Sequence, residues 1–195
     1  MNKALIIVDV WDNHWDSSTK NMLPDLSNDI NEFADIVRSN NDLVIHAPSM
    51  VMRRYEKRKF NIEHPYKLLQ KNALADHLKK LKFPLILDGN GQPNWKKQHP
   101  NIEIKDEDYV TTSGSEIYNL LKQNKIEKLY YCGAHANICI LWTREFSILQ
   151  MQHNKIDTML IEDLSVSLPI DKYDSLLSFY NQHICQTILK NKIYG

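Results

Sequence analysis

Apolar residues fall along the chain in two alternating rhythms: short continuous runs, and longer stretches with one apolar side. Ala4–Val10, ALIIVDV, is broken only by Asp9. A strand covered on both faces reads this way, as in a parallel sheet. Asp25–Ser39 puts Ile30, Phe33, Ala34 and Val37 on one side and predicts an amphipathic helix. Leu43–Ala47, LVIHA, predicts a second strand, ended by Pro48. A helix over Tyr66–Leu81 and a short strand at Tyr109–Thr111 follow. Ser113 or Ser115 caps a helix to Gln123, with Ile117, Leu120 and Leu121 inward. Lys128–Cys132 and Thr158–Ile161 predict two more strands, with Asp163 at the exit of the second. Asp171–Lys190 carries Tyr173, Leu176, Leu177, Tyr180, Ile184 and Ile188 at helical spacing, a long terminal helix. Strands alternating with helices predict an α/β fold, a three-layer sandwich with a mainly parallel central sheet and right-handed crossovers.

Lys82–Gln98 breaks both rhythms, with Pro84, Gly89, Gly91 and Pro93. It reads as an insertion or lid over a pocket, or as a contact in a homo-oligomer. Leu85–Asp88 is apolar enough for a brief strand within it. Apolar content stays substantial on both sides, so the chain reads as one domain over residues 1–195. The 24 basic and 24 acidic residues balance. That gives no electrostatic case for nucleic acid or a membrane surface. No apolar run approaches membrane-spanning length. Three scattered cysteines, Cys132, Cys139 and Cys185, point to free thiols in a reducing cytoplasm.

Candidate chemistry gathers in Tyr130–Arg144, YYCGAHANICILWTR. It predicts a strand, a tight crossing at Gly133–Ala136, and a helix starting near Asn137. Asn137 is a good N-cap, which places Cys139 in the first turn. A thiol there sits at the positive end of the helix dipole, among unpaired N–H groups that favour thiolate. The same amides suit an oxyanion. Equally, Cys139 reads as a small buried apolar residue, the usual place of a free cysteine. Asp9, at the carboxyl end of its strand, points into the crevice where open α/β sheets bind ligands. Trp11, Asp12, His14 and Trp15 follow at once. With His46 and His135 they make candidate pocket walls, aromatic with a few titratable groups, suited to a flat or cyclic substrate of low charge. No Asp-x-His pair accompanies His46, so no metal site is expected and no cofactor is implied.

With these pieces placed, the chain resembles the isochorismatase-like cysteine hydrolases, a superfamily that includes nicotinamidases, carbamoylsarcosine-type amidases and isochorismatases. The resemblance rests on ALIIVDVWDNHW, HPNIEIKDEDYVTT, YYCGAHANICI and IEDLSVS, in that order from about residue 4 to the C-terminus. More closely, VWDNHW, IHAPS, QHPNIEI, GAHANICILWTREFSI and HICQTI together resemble a bacterial branch known only as cysteine hydrolases or isochorismatase-like proteins. The resemblance implies a Rossmann-like sheet and a small-molecule substrate. It implies Cys139 as nucleophile and Asp9 as the base that takes its proton. It places a cis peptide between Ala134 and His135, with the backbone N–H groups of His135 and Cys139 as the oxyanion hole. The superfamily's triad also has a lysine, and counting from Asp108 its position falls on Thr112. Thr112 carries no charge, which leaves His14, His46 or His135 as stand-ins. With Asn137, Thr112 completes the candidate pocket.

Three functions compete at this point. One is a thiol-dependent hydrolase of a small amide or related ester carbonyl. The second is a silent binding or scaffold protein of the same fold, suggested by Thr112. The third is an isochorismatase-type hydrolase that does not use the cysteine, against which the intact Cys139 argues.

Overall fold

The structure, a computed structural model, describes residues 2–55, 60–85 and 94–194. Six strands form one sheet: β1 (Lys3–Val8), β2 (Leu43–Ala47), β3 (Tyr109–Val110), β4 (Lys128–Ala134), β5 (Asp157–Val166) and β6 (Thr187–Ile188). Their order is β3-β2-β1-β4-β5-β6, and every neighbouring pair is parallel. Among the described residues five α-helices alternate with them: α1 (Ser17–Ser39), α2 (Lys71–Lys80), α3 (Gly114–Gln123), α4 (Ile148–His153) and α5 (Tyr173–His183).

Alternate residues of β1 serve the two cores, which is why its sequence is apolar without a break. Leu5 and Ile7 pack with Leu23, Ile30, Phe33 and Val37 of α1. Ala4, Ile6 and Val8 face the core built with α2 to α5, including Leu78, Ile117, Met151 and Tyr180. The predicted three-layer α/β sandwich is the observed fold.

Several boundaries differ from expectation. Helix α1 begins eight residues earlier than predicted. Asp16 caps it by accepting the Thr19 N–H at 2.7 Å, and burial of Thr19 and Leu23 carries the helix through Pro24. Helix α2 is shorter than predicted, because Lys67 and Leu69 give their N–H groups to the side chains of Asn154 and Gln150. The long terminal helix stops at His183. Thr187 and Ile188 form an edge strand on β5 instead, held by Asn181, whose side-chain oxygen accepts the Thr187 N–H. Asp163 is not at a strand exit. It stands exposed on a bulge within β5 and accepts the Lys190 N–H at 2.9 Å. Residues 86–93, the middle of the expected lid at 82–98 and most of the brief strand at 85–88, lie outside the described residues.

The ends of β1 and β4 approach each other closely. Gly133 has φ +113°, and a Cβ there would stand 2.1 Å from the Val8 carbonyl oxygen. Only glycine lets the end of β4 lie this close to the end of β1.

Candidate active site

The chain crosses to opposite sides of the sheet from β1 and β4, so these neighbours bracket the switch point. Open α/β sheets bind ligands at the carboxyl ends of such strands. Asp9 follows the last residue of β1, and the turn ending in Cys139 follows β4. Asp9 has φ +50°, a left-handed backbone unusual for a residue with a side chain. Its carboxylate is buried at 1% exposure. Oδ1 accepts the Ser49 N–H at 2.7 Å, and Oδ2 accepts Arg144 Nε at 3.0 Å. The Cys139 thiol lies close enough to the carboxyl to act on its pKa. Burial pushes the Asp9 pKa above its ordinary value. The Arg144 charge, the thiol and the Ser49 N–H pull it back without cancelling the rise. A carboxylate that holds protons more tightly is a better base for a thiol.

Cys139 is not in the first turn of an α-helix capped by Asn137. Residues Cys139–Thr143 make one turn of π-helix, and the preceding Ile138 gives no side-chain cap. A five-residue turn cannot supply the dipole that the sequence suggested. π-turns do recur at functional sites, where they re-aim side chains. Asn137 instead ties the turn to the loop after β5: its Nδ2 donates to Leu168 O at 2.6 Å, and its Oδ1 accepts the Leu168 N–H at 3.1 Å. On that side Asn137 lines a cavity of about 440 Å³ with Phe83, Leu168, Pro169, Leu176 and Phe179. The Ala134–His135 peptide is cis. Within the turn, the Ile138 and Ile140 N–H groups both donate to His135 O, and the Ala136 N–H donates to Val166 O.

His135 and His14 are poor substitutes for the lysine's charge. Burial lowers the His135 pKa to about 3, helped by nearby His14, and Thr19 Oγ1 meets its Nε2 at 3.1 Å. Burial also lowers His14, whose Nδ1 accepts the Asp16 N–H at 3.0 Å. His46 is not a pocket wall. Fully buried, it has Nε2 on Asp108 Oδ2 at 3.0 Å and Nδ1 against the Gln98 side-chain amide. Both ring nitrogens are engaged, so it offers no lone pair to a metal. Among the described residues no three His, Cys, Asp or Glu gather around a possible metal position. Thr112 is half-buried, just past β3, and the cation that the structure pairs with Asp9 is Arg144.

Trp11, His14 and Trp15 do come together. Trp11 Nε1 donates to Ser49 O at 3.1 Å, which ties the ring to the residue that holds Asp9. Its ring stacks on Trp95 at 4.0 Å and 5°, and His14 lies nearly parallel to both. Trp15, 37% exposed, packs 5.0 Å from His14, and His135 meets His14 edge-on at 4.9 Å. Sequence reasoning missed two of these participants. Trp95 was hidden in the irregular stretch. Arg144 was inside the stretch singled out, and its one local signal is a charge directly after the apolar run ICILWT.

An all-parallel sheet in the order 3-2-1-4-5-6 is a doubly wound α/β architecture, and the chain has the isochorismatase-like fold. It is similar to an isochorismatase family protein from Desulfovibrio vulgaris, at 12% identity and a TM-score of 0.62, covering 99% of this chain and 96% of that one. N-carbamoylsarcosine amidase from Thermoplasma acidophilum matches over 100% of both chains at 12% identity and a TM-score of 0.61. Nicotinamidase from Bacillus subtilis matches at 15% identity and 0.54, over 96% of this chain and 99% of that one. No protein-family model and no curated protein matches the sequence. Among the described residues no helix is long and apolar enough to cross a membrane.

Proposed function

We propose that the protein is a cysteine hydrolase acting on a small amide or related ester carbonyl. The observation that carries this reading is the buried Asp9 carboxylate, paired with Arg144 and close to the Cys139 thiol, at the carboxyl ends of β1 and β4. Asp9 takes the thiol proton, and Cys139 Sγ attacks the carbonyl carbon. The backbone N–H groups of His135 and Cys139 hold the oxyanion. As the C–N or C–O bond breaks, Asp9 returns the proton to the leaving group, leaving a thioester on Cys139. Water then gives a proton to Asp9 and attacks the thioester carbon. The acid departs, and the proton returns to Sγ. Trp11, His14 and Trp15 wall the substrate side, which suits a flat or cyclic substrate of low charge. The enzyme works on a small molecule in the cytoplasm, as a homo-oligomer. The scaffold reading rested on the uncharged Thr112, and the Arg144–Asp9 pair removes that reason.

A panel of small amides and esters, with mass detection of a covalent adduct, tests this. An acyl adduct on Cys139 that is absent from Cys139→Ser is the expected result. No adduct and no turnover across the panel, with alkylation of Cys139 no faster than in unfolded protein, would leave the scaffold reading in possession.

A further inference from the structure

We propose that Arg144 is the positioning residue that keeps Asp9 available as a base. Paired to Asp9 Oδ2, it holds the buried cluster of Asp9, Cys139 and Arg144 at zero net charge before and after the thiol proton moves. The proposal rests on the hydrolase reading for its purpose, and on the geometry for its content. Asp9 is 0% exposed at its side chain and Arg144 17%, with Nε 3.0 Å from Oδ2. Oδ1 is fixed separately by the Ser49 N–H at 2.7 Å. The carboxylate is thus oriented from both sides, with the thiol close enough to act on its pKa.

The electrostatics follow from counting charges. At rest the cluster holds Asp9⁻, Arg144⁺ and a neutral thiol. After transfer it holds neutral Asp9, Arg144⁺ and a thiolate. The negative charge shifts between two places in the field of one fixed guanidinium, and no net charge is created in a poorly solvated site. Without Arg144 the same cluster carries one uncompensated negative charge. Its cheapest escape is for Asp9 to take a proton from solvent, which removes the base. A guanidinium stays charged throughout the working pH range, so Arg144 fixes the charge and does not itself carry the proton. The turn makes this possible: Thr143 closes it with its N–H on Ile138 O at 3.1 Å, and Arg144 leaves in extended backbone directly after it. Arg144 therefore does from the β4 side the work that the family resemblance assigns to residue 112.

The test uses the full chain as wild type, Arg144→Gln, Arg144→Lys and Asp9→Asn, each checked for folding by circular dichroism. The Asp9 carboxyl is titrated by infrared difference against Asp9→Asn, and iodoacetamide labelling of Cys139 is followed across pH by mass. In Arg144→Gln the Asp9 midpoint should rise by at least about one pH unit. The acid limb of labelling should rise with it, slowing the reaction below the new midpoint by about tenfold for each unit of the shift. Arg144→Lys keeps the charge, so it should hold the midpoint within about half a unit and recover most of the rate. An Asp9 midpoint unchanged in folded Arg144→Gln overturns the proposal. If that variant does not fold, a folded Arg144→Lys with its midpoint more than about one unit above wild type overturns it equally. Slow labelling of wild-type Cys139 would instead sink the hydrolase reading. The infrared midpoint would still decide the Arg144 assignment, so the two failures are distinguishable.

Discussion

Asp9 follows the last residue of β1, and Asp108 precedes the first residue of β3. They are 1% and 2% exposed, and each faces an arginine. Asp108 takes a bidentate fork from Arg38, with Nε on Oδ1 at 3.0 Å and Nη2 on Oδ2 at 2.6 Å. It also takes the Lys105 N–H at 2.9 Å and His46 Nε2 at 3.0 Å. Burial alone would raise its pKa, but the His46, Arg38 and Lys105 hydrogen bonds overwhelm that and hold it far below the usual carboxylate range. Asp9 receives one arginine contact through Nε, one backbone N–H and a thiol, and its pKa goes the other way. A buried carboxylate saturated with donors is a clamp that cannot take a proton. One less heavily bonded, with a thiol as neighbour, keeps its proton affinity and can act as a base.

Exchanging the two acids for amides breaks the comparison most directly. Asp9→Asn should slow Cys139 labelling and any hydrolysis about 100- to 10,000-fold, the range of a lost general base. Asp108→Asn should leave both nearly unchanged per folded molecule and lower stability instead. Equal losses of labelling in the two variants would mean that both acids serve the thiol. The next largest effect belongs to the clamp. Arg38→Ala leaves Asp108 with half its donors and should cost about 3–5 kcal/mol in urea unfolding, as for other buried pairs broken on one side. A loss below about 1 kcal/mol would make the fork a surface-like pair.

Acid titration of stability separates the two signs more finely. Asp108 is depressed in the fold, so its contribution is present above its unfolded value near 4 and is lost as pH falls towards the native one. Asp9 is raised, so its contribution is present below roughly pH 4 and is lost as pH rises through the native value. Subtracting the Asp108→Asn curve from wild type should show a loss towards acid. The Asp9→Asn subtraction should slope oppositely, and parallel slopes would contradict the contrast. The smallest effect is expected from Thr112→Lys. With Asp9 already paired to Arg144, an added cation there should change the labelling profile by no more than about twofold, the scale of an ordinary surface substitution. A tenfold gain would show that the site still lacks a charge.

Much of this was written locally in the chain. The run ALIIVDV needs only its own residues to announce a doubly covered strand ending in an acid, and LVIHA matches β2 at both ends. The β4 strand, its glycine and the cysteine turn are equally local, so Asp9 and Cys139 were legible as neighbours-to-be once a parallel sheet was inferred. The exits from regular structure were not legible. Whether Asn137 caps a helix or bonds Leu168, and whether residues 187–188 end a helix or add a strand, depends on partners elsewhere. His46 reads as a candidate pocket wall until Asp108, 62 residues on, and Gln98 occupy both its nitrogens.

By itself the sequence determined the order of the first five strands, and placed an acid and a thiol at two strand ends, because periodicity and turn chemistry act over a few residues. Only the tertiary structure decided what each acid can do. Arg144 reaches Asp9 across 135 positions of chain, and Arg38 reaches Asp108 across 70. Those approaches are set by sheet register and helix packing, and no spacing rule encodes them. Burial and the number of donors around a carboxylate fix its proton affinity, and both exist only once the chain has closed over it.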